Sequence, residues 1–154
     1  MAEIKIEDIK KLKELSGAGL TDAKVALVEA KGDFDKALEV MRKKGLTKAE
    51  KRGDRETREG LIDAYVHDGR IGALVEVNCE TSFVAKTDEF KDLAHKLAMQ
   101  VASMDPRDVN ELMGQQYILD DGKTVEMFVK DAIAKTGENI TVKQFKRIEL
   151  GVVE

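Results

Sequence analysis

The sequence has no tryptophan, one proline, one cysteine and two histidines. Each shortage excludes something. The lone thiol, Cys79, cannot close an internal disulfide, which fits a reducing cytoplasm. Aromatic residues make up only 5%, so few rings are available for stacking single-stranded bases. A net charge of −4 argues against binding driven by bulk positive charge, and no stable nucleic-acid partner is expected. No apolar run approaches the roughly 18–20 residues that would cross a bilayer. The opening Met1-Ala2-Glu3-Ile4-Lys5 lacks the apolar core of a secretory signal, so no membrane partner is expected either. There is no glycine-rich loop ending in Gly-Lys-Ser/Thr, so direct nucleotide binding and hydrolysis are not expected. A zinc site would have to gather carboxylates from distant segments around His67, His95 and Cys79. No catalytic residue, metal ligand or cofactor is assigned, and the chain does not read as an enzyme.

What is present suits a folded protein. Hydrophobic residues make up 42% and charged residues 36% of 154 residues, enough for one ordinary domain or a small module plus a larger one. The first 45 residues read as three short helices. Ile9, Leu12 and Leu15 recur at helical spacing up to the glycines of Ser16-Gly17-Ala18-Gly19. Thr21 or Asp22 would cap a second helix carrying Ala23, Ala26, Leu27 and Ala30, which Gly32 ends. Asp33 caps a third, with Phe34, Ala37, Leu38 and Met41 on one face. Lys43-Lys44 and Gly45 close it. Residues 42–59 hold eight Lys/Arg and four acids, with little that is apolar between Leu46 and Leu61. The expected division is a three-helix domain at 1–45, a basic linker at 46–59 and a core domain at 60–154.

In the core domain, Ile62, Ala64 and Val66 alternate, His67-Asp68-Gly69-Arg70 turns, and Ile71, Ala73, Val75, Val77 and Cys79 alternate again, as in a β-hairpin. Asp88 then caps a helix striped by Phe90, Leu93, Ala94, Leu97, Ala98, Val101 and Ala102, which stops before Pro106. A polar stretch follows. The next helix carries Val125, Phe128, Val129, Ala132 and Ile133 and ends at Gly137. A last strand, Ile140 to Leu150, slips its alternation between Val142 and Phe145, as a bulge would cause. Helices against a three-stranded antiparallel sheet make an α+β domain.

Most polar residues have plain structural roles. His95 falls on the polar side of its helix and reads as solvated, and Cys79 reads as a buried, inert thiol. His67 sits at the hairpin end, where an exposed turn residue outweighs a contact residue. Two loops stand apart. Thr81-Ser82-Phe83-Val84-Ala85 places two apolar residues where turns are normally polar. On pattern alone, Phe83 is evenly balanced between tucking under the following helix and serving as an exposed anchor for a partner. Gly17-Ala18-Gly19-Leu20 sets a leucine beside two glycines, where another backbone can approach closely.

Three segments resemble one known family. Leu15-Ser16-Gly17-Ala18-Gly19-Leu20-Thr21-Asp22-Ala23-Lys24 is similar to the Thr-Gly-Ala-Gly-Met-Met-Asp signature near the start of elongation factor Ts. Val77-Asn78-Cys79-Glu80-Thr81-Ser82-Phe83-Val84-Ala85 resembles its second signature, and Gly137-Glu138-Asn139-Ile140 its third. The resemblance implies a ubiquitin-associated-like three-helix module, then a core domain. It implies a guanine nucleotide exchange factor for elongation factor Tu in translation elongation, one that promotes GDP release and does no covalent chemistry. Gly17, Ala18, Gly19, Leu20 and Lys24 match positions that contact the GTPase. Thr81, Ser82, Phe83, Val84 and Ala85 match the loop inserted near the nucleotide and magnesium site. The usual Asp before the Phe is Ser82 here, which implies insertion by shape more than by charge. Residues 105–123 leave no room for the family's helical-hairpin insertion. Longer members carry two core repeats and this chain has material for one, so a homodimer is expected, with His67 of the second copy reaching the GTPase. The competing reading is a helical adaptor that binds another protein through its N-terminal module and has no exchange activity.

Overall fold

In the computed structural model, which describes residues 3–153, the chain opens with three helices: α1 (Ile6–Ser16), α2 (Leu20–Glu29) and α3 (Phe34–Lys51). Their cluster is small. Ile9, Leu12, Ala23, Ala26, Leu27, Ala37 and Met41 are buried together, the set that helical spacing predicts. Gly17 ends α1 at φ 69°, with its N–H donating to the Lys13 carbonyl. α2 starts earlier than expected: Gly19 is its N-cap, so Thr21 and Asp22 lie within the first turn. Asp22 there faces the positive end of the helix dipole and lies 3.7 Å from Lys48. Asp33 caps α3, its carboxylate accepting from the Lys36 N–H at 3.2 Å.

The third helix does not end at Gly45, as its lysine pair and glycine led one to expect. α3 runs on to Lys51, so residues 46–51 are helix. A glycine inside a helix costs ~1 kcal/mol relative to alanine, and packing offsets that cost here. A Cβ at Gly45 would stand 3.2 Å from the Ala134 Cβ, and Ala49, one turn on, is buried in the main core. The Arg52 guanidinium then donates to the Ile133 carbonyl at 3.0 Å. The basic stretch is therefore tied to the rest of the molecule along much of its length.

The remainder is a three-stranded antiparallel sheet in the order β1-β2-β3, from β1 (Glu59–His67), β2 (Ile71–Cys79) and β3 (Ile140–Glu149), packed with helices. Four helices lie between β2 and β3: α4 (Ser82–Ala85), α5 (Asp88–Met104), α6 (Val109–Gly114) and α7 (Val125–Thr136). Asp68 and Gly69 take φ 51° and 65° at the hairpin tip, the hand that suits the twist of the flanking strands. The expected slip in β3 is present as a register shift opposite Glu76/Val77. Ala73, Val75, Val77 and Cys79 of β2 are buried with the α5 stripe of Phe90, Leu93, Leu97, Ala98 and Val101. The cap of α5 is Thr87, whose hydroxyl accepts from the Phe90 N–H at 3.2 Å; Asp88 stands one residue later, where its charge complements the dipole. α4 and α6 appear where only loop was expected. Four- and six-residue helices are too short for their periodicity to show.

β1 is turned over relative to its apolar alternation. Leu61 and Tyr65 pack against the main core, while Ile62 and Val66 are 67% and 64% exposed. Leu74 and Ile148 join them as exposed apolar residues. Cross-strand pairing sets Gly72 between Val66 and Ile148, and it puts Glu76, Gln144 and Lys146 on the same outer face, beside Ile62 and Leu74.

Candidate functional site

The Thr81–Ala85 segment leaves β2 and turns at once into α4. Thr81 is its N-cap, with the hydroxyl accepting from the Val84 N–H at 3.4 Å, and the Ala85 N–H donates to the Thr81 carbonyl at 3.3 Å. One turn of helix separates the two apolar side chains by function. Val84 packs on the core and Ala85 is buried beside it, whereas Phe83 is 84% exposed. Phe83 thus does not tuck under the following helix, and it projects from a turn held on both sides. Ser82 is exposed, and the first turn of α4 carries no acidic residue.

The turn is held from the C-terminal end of α7. The Glu138 carboxylate accepts from the Glu80 and Thr81 N–H groups at 3.1 and 2.9 Å, and from the Thr81 hydroxyl at 2.6 Å. Asn139, itself buried, donates its backbone N–H to Glu80 Oε1 at 2.8 Å and its side-chain N–H to the Arg55 carbonyl at 2.8 Å. Nothing in helical or strand periodicity singles out Glu138 and Asn139. The signal lies in their place directly after Gly137, where β3 begins beside the end of β2.

The glycine loop sits near the same point. A Cβ at Gly17 would lie 2.6 Å from Lys135 Cγ, so this glycine serves a close approach within the molecule as well as a left-handed cap. Ala18 packs into the small helical cluster, whereas Gly19, Leu20 and Lys24 are exposed. Lys135 and Glu138 are three residues apart, so the glycine loop packs against, and the Phe83 turn is bonded to, the same end of α7. The structure brings them together.

It does not bring His67 to them. His67 lies at the hairpin tip, while Thr81 follows the far end of β2. That strand has nine residues, which at ~3.4 Å per residue span roughly 27 Å. His67 accepts or donates at 2.9 Å to the Tyr65 hydroxyl. His95, read as solvated, has a partner: its ring nitrogen lies 3.2 Å from Asp63 and its ring meets Tyr65 edge-on. The Cys79 thiol is buried and donates to the Thr81 carbonyl at 3.2 Å. Burial first, then the negative charge of Glu138, pushes its pKa up to about 11, so it stays a protonated, weakly reactive thiol at neutral pH. Among the described residues, no group of three or more His, Cys, Asp or Glu is placed to hold a metal ion, and no helix is long and apolar enough to cross a membrane.

Residues 80–154 match the family model described as Elongation factor TS. Elongation factor Ts of Thermotoga neapolitana is 45% identical, over 97% of this chain and 98% of that protein. That of Fervidobacterium nodosum is 42% identical, over 97% of this chain and 99% of its own. Both alignments run past 190 positions, at 193 and 195, so these relatives carry residues that a 154-residue chain lacks. Elongation factor Ts of Aquifex aeolicus is 45% identical over 95% of this chain, but this chain spans only 52% of it.

Proposed function

Because this chain belongs to the elongation factor Ts family, we propose that it is the guanine nucleotide exchange factor of its elongation factor Tu, releasing GDP with the Phe83 turn. The observation that carries this reading is the 84% exposure of Phe83 on a turn fixed at Thr81. A rigidly held, solvent-facing aromatic is costly to leave in water and suits insertion into a partner. Gly19, Leu20 and Lys24 would meet the same GTPase, since their loop is fastened beside the turn. On this reading residues 1–45 act as the ubiquitin-associated-like module and 60–154 as the core domain, with α3 bridging them.

Exchange of this kind is differential binding, and no bond is made or broken. The factor must prefer the nucleotide-free GTPase to the GDP-bound one. Moving such an equilibrium from 1:99 to 99:1 needs roughly 5.5 kcal/mol of preference. Burial of one Phe supplies ~2–3 kcal/mol. The glycine loop and the flanks of α4 must contribute the rest. With Ser82 in place of an acid, the preference arises from shape and apolar burial near the magnesium site. The test is release of fluorescent GDP from cognate elongation factor Tu, which this chain should accelerate. An adaptor would bind the GTPase, or something else, with no change in release.

The partner of the open sheet face is a second copy of this chain. Ile62, Val66, Leu74 and Ile148 are exposed apolar side chains on one face of the single sheet among the described residues, interspersed with Glu76, Gln144 and Lys146, and the Aquifex aeolicus relative is nearly twice as long. Pairing two such faces would bury that surface and place His67 of the second copy toward the GTPase. Light scattering should give a dimer mass, and Ile148→Asp should shift it to a monomer. A strictly monomeric wild-type chain at micromolar concentration would overturn the pairing.

A further inference from the structure

We propose that Glu138 is the positioning residue of the Phe83 turn, setting the angle at which the ring is presented to the GTPase. The inference rests on the exchange reading above and adds to it a role for the Gly137-Glu138-Asn139 segment, which has none there. Strand pairing explains why this residue is in place. Cys79 lies opposite Ile140 at the end of the sheet, so residues 80–81 and 138–139 leave it side by side. Their side chains then exchange partners. The Glu80 carboxylate takes the Asn139 N–H at 2.8 Å, and the Glu138 carboxylate takes the Glu80 and Thr81 N–H groups at 3.1 and 2.9 Å.

The third Glu138 bond matters most. A carboxylate can only accept, so the Thr81 hydroxyl must donate its single proton to Glu138, across 2.6 Å. Its lone pairs are then the part left for the Val84 N–H, which donates at 3.4 Å and starts α4. Glu138 thereby fixes the sense of the cap. The cap in turn holds the direction in which the exposed Phe83 leaves the turn, while Val84 packs on the core. A neutral amide at 138 removes this bias, since its NH2 would donate to the same hydroxyl and turn its proton away. Phe83 would remain exposed, yet on a turn free to sample other directions, and part of its binding would be lost to ordering.

The experiment is a double-mutant cycle of Glu138→Gln and Phe83→Ala in the full chain, read as fluorescent GDP release from cognate elongation factor Tu. Glu138→Gln should lower the saturating release rate by about 10-fold, with the half-saturating concentration changed less than twofold. The double variant should be no slower than Phe83→Ala alone, because a turn without its ring has nothing to aim. Amide exchange at Thr81 and Val84 of the free chain should quicken in Glu138→Gln, while the α5 amides stay protected. Should Glu138→Gln not fold, Thr81→Val breaks the same relay from the other side and should show the same non-additivity with Phe83→Ala. Effects that multiply, or an unchanged rate in Glu138→Gln, would overturn the positioning role alone. An unchanged rate in Phe83→Ala would overturn the wedge itself, and the positioning role with it.

Discussion

Phe83→Ala should slow GDP release from cognate elongation factor Tu by about 30- to 100-fold while leaving the melting temperature of the chain within a degree or two. The two halves of this expectation have one cause. A side chain that is 84% exposed contributes little to folding, because it loses almost no contact with water when the chain folds. If it is buried on the GTPase in the nucleotide-free complex, that burial is worth ~2–3 kcal/mol, and every 1.4 kcal/mol is a factor of ten. The loss should fall on the maximal rate, since a wedge that forms only as the nucleotide leaves is not engaged in the first encounter. A release rate unchanged by the substitution would remove Phe83 from the mechanism.

Phe90→Ala should do the reverse. Seven residues further on, Phe90 is 1% exposed, at the first turn of α5, and it is buried in the main core with residues of α5, α7 and the sheet. Phe→Ala in a packed core costs about 3–5 kcal/mol, the transfer loss plus the cavity left behind. For a chain of this size the melting temperature should fall by on the order of 10 °C. At temperatures where the variant is still folded, Phe83 keeps its anchor through Thr81 and Glu138, so the release rate per folded molecule should stay within about threefold of wild type. Thermal unfolding followed by circular dichroism, with release assayed well below the transition, separates the two effects. A Phe90→Ala chain that is stable yet inactive would mean that α5 itself meets the GTPase.

The two phenylalanines also show what a sequence makes legible. Phe90 opens an apolar stripe with helical spacing, and its burial follows from periodicity alone. Phe83 has no such company. Its neighbours Ser82 and Val84 are compatible with either fate, and the turn that carries it is tied at Thr81 to Glu138, which stands 57 residues after Thr81 in the chain. Long-range polar ties of this kind leave no periodic trace. Gly45 illustrates a second limit. Glycine after two lysines reads as a helix end, yet burial of Ala49 and contact with Ala134 carry α3 through it. β1 illustrates a third. Ile62, Ala64 and Val66 are its evident apolar set, but Tyr65 is larger than any of them, and it takes the core face together with Leu61. The hairpin, the bulge in β3 and the stripes of α5 and α7 were all legible, because each satisfies a local rule of spacing or turn chemistry. The two candidate loops were legible as segments. That they converge on one end of α7, and that His67 stands roughly 27 Å away along a strand rising ~3.4 Å per residue, follows only from the fold.

The most direct test of the account is the rate of fluorescent GDP release from cognate elongation factor Tu, measured by stopped flow as the concentration of this chain is raised. The rate should climb and saturate well above intrinsic release, by about 100-fold or more. A rate that stays at the intrinsic value across micromolar concentrations, with binding shown independently, would contradict it.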